Sequence, residues 1–167
     1  LTPELKDFIG RQHIFFTASA TADSRINLSP KGLGGFRITG DNEVVFLNLT
    51  GSGNETAAHM LADGRLTIMF CAFEGPAMIL RLYGRGRVAR KGTEEYARYL
   101  ASAFDGEEPA GARQIVIQDI DLVQTSCGYG VPLHDYRQER PTLVGWEEQK
   151  GEEGIADYWR EKNMVSM

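Results

Sequence analysis

A glycine-rich and hydroxyl-rich segment at residues 48–56, NLTGSGNET, carries the residue types best suited to holding an anion. Glycines let a backbone approach a ligand closely, and hydroxyl and amide side chains donate hydrogen bonds. The donors of this segment are Thr50, Ser52, Asn54 and Thr56. A helical pattern follows at once, so its free N–H groups and the positive end of its dipole face the same place. The segment therefore predicts a cradle for a phosphate.

The same segment has a purely structural interpretation. Ser52 and Glu55 fit the S-x-x-E capping box, which begins helices without any ligand. Upstream, the strand-like stretch at residues 25–32, RINLSPKG, favours the cradle because it adds short polar side chains and two cations, Arg25 and Lys31. The proline of this stretch suits an edge or the end of a strand, since proline has no N–H to donate. The functional hypothesis for this segment is therefore an anion-binding site.

Patterns of hydropathy and turn residues predict a mainly β chain. Strand-like stretches fall at residues 13–20, 25–30, 36–38, 43–49, 65–73, 77–89 and 114–123. Helical stretches fall at the amino terminus, at 55–63 before Gly64, at 93–100 and at 152–162. Short turns join the first strands, as in a meander. We expect a small β-barrel with flanking helices.

Two of the predicted strands carry side chains on their outer faces that indicate a contact outside the barrel. The stretch at 65–73 is apolar on both faces, which indicates a helix or a second subunit outside the barrel, and dimerisation is the economical expectation. The stretch at 77–89 places a basic and aromatic set on one face by its period of two: Arg81, Tyr83, Arg85 and Arg87. A solvated face and a contact with a phosphate or a partner both fit this set.

Length and composition bound the class of protein. The chain has 167 residues, which fits one domain over 1–167, with the barrel at about 8–132 and an extension with a helix at 133–167. Its net charge of -5 argues against general binding to nucleic-acid phosphates. No apolar run reaches the roughly 20 residues of a membrane span, and the charged amino terminus does not resemble a secretory signal. We expect a soluble, cytoplasmic protein.

The remaining motifs bear on other chemistries. Cys71 and Cys127 lie far apart without a histidine at metal-ligand spacing, so we expect two reduced thiols and no metal site. The sequence contains no hydrolase or Walker motif, and the glycines at 84–86 precede a continuing strand rather than a helix. His59 follows Glu55 by one turn of the predicted helix, which favours a surface histidine over a catalytic one. No catalytic residue is assigned.

The chain resembles the pyridoxamine 5′-phosphate oxidase-like family of FMN-binding split barrels. The resemblance rests on three segments that occur in the same order as in that family, at 25–32, 48–59 and 78–84. The resemblance extends from about residue 8 to residue 132. It implies a homodimer in which two FMN molecules lie in grooves at the subunit interface and contact both chains. Hydride and electron transfer belong to the flavin itself, so the lack of a catalytic motif is no objection.

The resemblance also implies where the FMN lies. The strand at 25–31 follows the isoalloxazine ring and ribityl chain, with the backbone of Asn27 and Ser29 at ring heteroatoms and a cation at the phosphate. The segment at 48–56 supplies phosphate donors, and the loop at 127–129 covers the flavin or forms only a turn. The implied cofactor contacts are Arg25, Asn27, Leu28, Ser29, Lys31, Asn48, Leu49, Thr50, Ser52, Asn54, Thr56, Arg81, Cys127 and Tyr129.

The chain departs from the true oxidases of this family at two points. Those enzymes carry a basic residue directly after the serine of the phosphate turn, whereas Gly53, Asn54 and Glu55 follow Ser52 here. They also end in a basic, histidine-bearing tail, whereas this chain ends in an acidic helix. Oxidation of pyridoxamine phosphate is therefore not expected. The whole pattern, with TSCGYGVP at 125–132, is most similar to a bacterial branch known only as related FMN-binding proteins.

Three functions are open on the sequence. The first is an FMN-dependent oxidoreductase that accepts hydride from a nicotinamide donor or a small reduced substrate. The second is a flavin carrier or sensor without turnover. The third is a split barrel that holds a deazaflavin or haem in place of FMN.

Overall fold

The computed structural model describes residues 1–51 and 54–164. Within these residues the chain forms four helices and seven strands. In chain order they are α1 (Pro3–Gly10), β1 (Phe15–Ser19), β2 (Asn27–Lys31), β3 (Phe36–Ile38), β4 (Glu43–Leu49), α2 (Glu55–Ala62), β5 (Arg65–Cys71), β6 (Ile79–Arg90), α3 (Glu94–Ala103), β7 (Ala112–Ser126) and α4 (Thr142–Lys162). The strands form one antiparallel sheet in the order β2-β1-β5-β6-β7-β4-β3. The expected mainly β fold with flanking helices is confirmed.

The inner face of the curled sheet packs into the main core. Leu80 and Leu82 of β6 and Val116 of β7 are fully buried there, as the period of two along a strand requires. Phe8 and Ile9 of α1 join the same cluster and close one end of it. Helix α1 therefore serves as a lid on the barrel core.

A second apolar cluster covers the outer face of β4 and β7. Tyr96 and Tyr99 of α3 pack there against Val45 and Ile117. A helix thus lies outside the barrel, as expected, but over β4 and β7 rather than over β5. The outward-facing Met69 of β5 is only half-buried. Strand β5, which was predicted to be covered on both faces, is therefore fully buried on its inner face and partly exposed on its outer face within this chain.

The longest strands, β6 and β7, pair with each other from Ile79 opposite Ser126 to Arg90 opposite Gln114. Both differ from their predicted bounds, and β7 is longer at each end. Polar residues at the ends of β7 weakened the apolar signal, but backbone pairing with β6 and β4 holds those ends in the sheet.

The last helix also differs from its prediction. Helix α4 begins at Thr142, well before residue 152, and Gly151 interrupts it with φ 64° and ψ 176°. Only glycine adopts such a conformation at little cost. Gly145 and Gly151 lower the intrinsic helix propensity of the first half, which hid it in the sequence. Most of the extension after the barrel is helical as a result.

None of the described helices is long and apolar enough to cross a bilayer. Cys71 is buried, Cys127 is exposed, and both are free thiols.

Candidate functional site

The turn after β4 is held rigidly against the barrel. Thr50 is buried, and its N–H and Oγ1 both donate to the carbonyl oxygen of Gly111, at 2.8 and 2.9 Å. The same Oγ1 accepts a hydrogen bond from Trp159 Nε1 of α4 at 3.0 Å. The predicted donor Thr50 is therefore already engaged within the chain. Ser52 and its neighbour Gly53 lie outside the described residues.

The start of α2 follows directly from this turn. Asn54 is its N-cap residue, but its side chain makes no capping hydrogen bond. Instead Asn54 Oδ1 accepts from Gln114 Nε2 of β7 at 2.9 Å. This contact ties the helix to the sheet and leaves its first turn without a cap from Asn54. The positive end of the helix dipole lies at this first turn of α2.

Strand β2 presents a polar face to α2. Ser29 Oγ donates to Asn27 Oδ1 at 3.3 Å, and Asn27 Nδ2 donates to Thr56 Oγ1 at 3.0 Å. Leu28, on the opposite face, is 64% exposed. Because β2 is an edge strand, one side of its backbone is unpaired within the single chain. The edge position also accommodates Pro30, as the sequence indicated.

Two cations meet beside the turn. Burial and the positive charge of Arg113 lower the pKa of Lys31, and Glu55 opposes that shift. Burial also lowers the pKa of Arg113, which is only 9% exposed. Arg113 donates from Nη1 to Asn163 Oδ1 at 3.0 Å and from Nη2 to the carbonyl oxygen of Leu49 at 3.4 Å. Its buried Nε has no hydrogen-bond partner among the described residues.

The balance of charge in this cluster favours an anion. Glu55 is the carboxylate that interacts with both Lys31 and Arg113. One carboxylate beside two desolvated cations leaves positive charge that burial makes costly. A phosphate in contact with both cations would remove that cost, so this donor set fits a phosphate group.

Arg113 is the site residue that the sequence analysis missed. The register of β4 and β7 shifts between Asn48 and Leu49, which pair with Gln114 and Ala112 respectively. Arg113 is therefore the extra residue of a β-bulge, and bulges redirect side chains. The available signal was a single arginine in front of a strongly apolar run, which does not reveal a bulge.

The structure brings together most of the predicted cofactor contacts. They surround the turn, the polar face of β2 and the first turn of α2: Asn27, Ser29, Lys31, Asn48, Leu49, Thr50, Asn54 and Thr56. Leu28 lies on the outer face of the same strand, and Arg25, just before β2, is exposed.

Three predicted contacts lie at the far end of the sheet. Arg81 is opposite Gln124 and donates to Ser126 Oγ at 3.2 Å. The cluster around Asn54 instead contacts Gln114, and the strand between these two glutamines spans roughly 30 Å at about 3.3 Å per residue. Cys127 and Tyr129 follow β7 at the Arg81 end and are exposed. A single chain therefore does not bring these three residues to the start of α2.

The prediction of a surface histidine on α2 is wrong. His59 is only 3% exposed, and its Nδ1 lies 3.0 Å from Ser19 Oγ of β1. Its Nε2 is buried without a partner among the described residues. The helix faces the barrel at this position, because the same face also carries the buried Thr56 and Met60. His59 thus anchors α2 to β1 below the anion cluster.

A large cleft opens at the ends of β1 and β2, with a volume of about 1280 Å³. Lys31 forms part of its wall. On another wall the rings of His13 and Tyr136 stack at 3.6 Å with an angle of 9° between their planes. Glu74 Oε1 accepts from the Tyr136 N–H at 2.7 Å and fixes that loop. The cleft offers a mainly apolar, aromatic surface beside the cation pair.

The fold is that of a split barrel with flanking helices. The family model for pyridoxamine 5′-phosphate oxidase matches residues 1–127, and the chain belongs to that family. A curated relative, the pyridoxamine 5′-phosphate oxidase family protein ustO of Aspergillus flavus, is 41% identical over 138 residues. That match covers 81% of this chain and 55% of the relative, so the chain spans about half the length of that protein.

Solved structures with the same fold differ in what they bind. A putative pyridoxamine 5′-phosphate oxidase of Lactobacillus delbrueckii has a TM-score of 0.57 at 16% identity, covering 74% of this chain and 93% of that one. The haem storage protein HutZ of Vibrio cholerae has 0.51 at 15% identity, covering 74% and 93%. The FAD binding protein of Mycobacterium smegmatis has 0.50 at 10% identity, covering 75% and 94%. These similarities show the split-barrel fold alone.

Proposed function

We propose that this protein is an FMN-binding flavoprotein and an oxidoreductase, acting on a substrate other than pyridoxamine phosphate. The observation that carries the proposal is the pair of desolvated cations, Lys31 and Arg113, beside the start of α2, where the Asn54 side chain makes no capping hydrogen bond. Membership in the pyridoxamine 5′-phosphate oxidase family supports a flavin. The phosphate of FMN supplies the negative charge that the cluster lacks.

The roles of the residues follow from their contacts. Lys31 and Arg113 neutralise the phosphate, and the hydrogen bonds from Ser29 through Asn27 to Thr56 keep β2 and α2 at a fixed distance from it. The unpaired side of the β2 backbone offers N–H and C=O groups to the polar edge of a ring. When bound, the flavin accepts and donates hydride or electrons, and the protein positions it and excludes water.

A second copy of the chain completes the proposed site. Arg81, Cys127 and Tyr129 lie too far along the sheet to reach the start of α2 in their own chain, whereas a partner subunit can supply them there. Exposed apolar side chains on the edge strand and at the far end of β7 support such an interface: Ile26, Leu28, Leu122 and Tyr129. A homodimer with FMN between its subunits is therefore part of the proposal.

The substrate of the proposed oxidoreductase lies beyond the cation pair, in the cleft that Lys31 lines. The carboxyl-terminal helix is acidic and carries no histidine, unlike a tail that grips a vitamin phosphate. This composition supports a small reduced substrate or a nicotinamide donor in place of pyridoxamine phosphate.

The first experiment is to purify the protein without added cofactor, record its visible spectrum and identify the molecule released by heat with mass spectrometry. We expect FMN, followed by oxidation of a nicotinamide donor. A flavin that no donor reduces would favour a carrier or sensor. The spectrum of a deazaflavin or of haem would identify that molecule, and not FMN, as the cofactor. A colourless protein that does not take up FMN would overturn the proposal.

A further inference from the structure

The carboxyl-terminal half of α4 lies on the turn and on the cation that the proposed phosphate site uses. Trp159 Nε1 donates to Thr50 Oγ1 at 3.0 Å, and Asn163 Nδ2 donates to the carbonyl oxygen of Gly51 at 3.2 Å. Asn163 Oδ1 accepts from Arg113 Nη1 at 3.0 Å. An amide oxygen of α4 thus occupies a position on Arg113 where a phosphate oxygen would bind more strongly, because charge-assisted hydrogen bonds exceed those to neutral acceptors.

The amino-terminal half of α4 is held by a different and costly contact. Glu147 is 1% exposed, and its carboxylate lies against Gly111, the residue whose carbonyl oxygen fixes Thr50. A Cβ at position 111 would overlap that carboxylate. Glu147 Oε1 is buried without a hydrogen-bond partner in the described part of the chain. Burial raises the pKa of this carboxyl while backbone hydrogen bonds from Thr50 and Gly111 oppose the shift, so the contact anchors the first half of α4 to the residues that fix the turn.

A break between the two halves allows them to move separately. Gly151 has φ 64° and ψ 176°, far from helical values, and a Cβ there would meet no atom within 4 Å. Large changes in backbone angles at such a residue are what a hinge absorbs. The half next to Asn163 can therefore swing without unfolding the half that holds Glu147, at the cost of the ring contact between Trp146 and Tyr158.

We propose that α4 is a displaceable strap over the anion site, and that binding of a phosphate monoester at Arg113 exchanges Asn163 for a phosphate oxygen and releases the last turns of the helix. This inference rests on the proposed function, since it takes the FMN phosphate as the ligand. Only chains with an open strap can bind FMN, so the apparent affinity is the intrinsic affinity multiplied by the open fraction. Weakening the strap raises the open fraction and therefore tightens FMN binding.

The test uses the full chain and two matched pairs of variants. Trp159→Phe removes the N–H that donates to Thr50 and keeps an aromatic ring, and Arg160→Gln, at an exposed position of the same helix half whose side chain pairs with Asp157, is its control. Gly111→Ala pushes against the Glu147 carboxylate, and Gly145→Ala, where a Cβ meets open space, is its control. Binding of FMN and hydrogen exchange of the amides at 155–163 are measured for each variant.

The expected result is that Trp159→Phe binds FMN about fivefold more tightly than the wild type, the equivalent of one neutral hydrogen bond. Gly111→Ala has the same direction, because the added Cβ pushes the first half of α4 away from the turn. Amides at 155–163 exchange faster when FMN is bound. Both controls match the wild type.

Two results overturn the strap. If FMN binds the wild type and Trp159→Phe binds it with equal or lower affinity, α4 is not a competitor of the phosphate. If amides at 155–163 become more protected on binding, α4 closes on the ligand instead of leaving it. Failure of every variant to bind FMN overturns the proposed function itself, which separates that failure from failure of the strap alone.

Discussion

Burial and the nearby positive charge of Arg113 lower the pKa of Lys31, although the two residues lie on β2 and β7, which are separated in the sheet by β1, β5 and β6. Such an interaction requires the sheet to curl until its strands face one another. The curl is a property of the whole barrel, and the cation pair exists only because of it. The anion site is therefore built by closure of the sheet and not by one local motif.

Removing either cation of the pair should weaken FMN binding. We expect Arg113→Gln and Lys31→Gln each to lower the affinity roughly 10-fold to 100-fold, since a charge-assisted hydrogen bond contributes about 1.5–3 kcal/mol. Titration of the purified apoprotein with FMN, followed by quenching of flavin fluorescence, measures the change. Arg90→Gln, an exposed arginine of β6 opposite Gln114, is the matched control and should bind normally. Equal affinity in all three variants would place the phosphate elsewhere.

The depressed pKa of Lys31 predicts how FMN binding depends on pH. Burial and Arg113 lower this pKa from 10.5, so the amine loses its charge at a lower pH than an exposed lysine does. We expect the affinity for FMN to fall as the pH rises from about 7 to 10, with a midpoint below the ordinary lysine value. Lys31→Arg, which stays charged throughout, should flatten the curve. A wild-type curve that is already flat would contradict this assignment.

The buried carboxyl of Glu147 predicts a dependence of stability on pH. Burial raises its pKa above 4.5, while the backbone of Thr50 and Gly111 opposes the shift. A raised pKa means that the folded chain binds more protons than the unfolded chain, so this contribution to stability is present at low pH and is lost as the pH rises through the folded pKa. Glu147→Gln should remove that loss and raise the melting temperature at pH 7. Glu148→Gln, at an exposed position, is the control and should leave the melting temperature unchanged. If Glu147→Gln instead lowers the melting temperature, the folded chain requires the negative charge of Glu147.

The contact between Ser19 and His59 predicts a cost for a small substitution. Ser19→Ala leaves His59 Nδ1 buried without a partner, which typically costs about 1–3 kcal/mol in the free energy of unfolding. Denaturant unfolding of the apoprotein measures this directly. Ser102→Ala, at an exposed position of α3, is the control and should change stability little. A neutral Ser19→Ala would mean that His59 anchors α2 by packing alone.

Subunit mixing tests whether two chains share one site. If the cation pair of one chain and Arg81 of the other hold the same FMN, Arg113→Gln and Arg81→Ala homodimers should each bind poorly. Random mixing in equal amounts gives half heterodimers, in each of which one site carries both substitutions and the other carries neither. About a quarter of all sites should then bind FMN normally. No recovery after mixing would place all cofactor contacts in one chain.

Local signals in the sequence predicted much of the fold. Thr2 caps α1 by accepting from Leu5 N–H, and Thr93 caps α3 by accepting from Tyr96 N–H. Gly64 ends α2 with φ 83°, a value that favours glycine. Each of these signals acts over a few residues, where the identity of the side chain nearly decides the backbone.

Features that depend on distant parts of the chain could not be predicted. Arg113 enters the site through a bulge in the pairing of β4 with β7, and no local pattern marks such a bulge. His59 is buried because α2 packs on β1, which helical spacing from Glu55 alone does not reveal. The first half of α4 contains glycines and is held by contacts of Glu147 with the backbone of Thr50 and Gly111, so tertiary packing overrides its weak propensity.

The position of the two cations along the chain has a consequence for synthesis on the ribosome. Lys31 and the glycine-rich turn are made early, but Arg113 arrives only with β7, the last strand of the sheet. A nascent chain that lacks β7 holds half of the anion cluster and cannot close the barrel. Uptake of the proposed cofactor should therefore occur at the end of folding. Chains truncated before residue 113 should be unable to bind a phosphate ligand, even if their first strands pair.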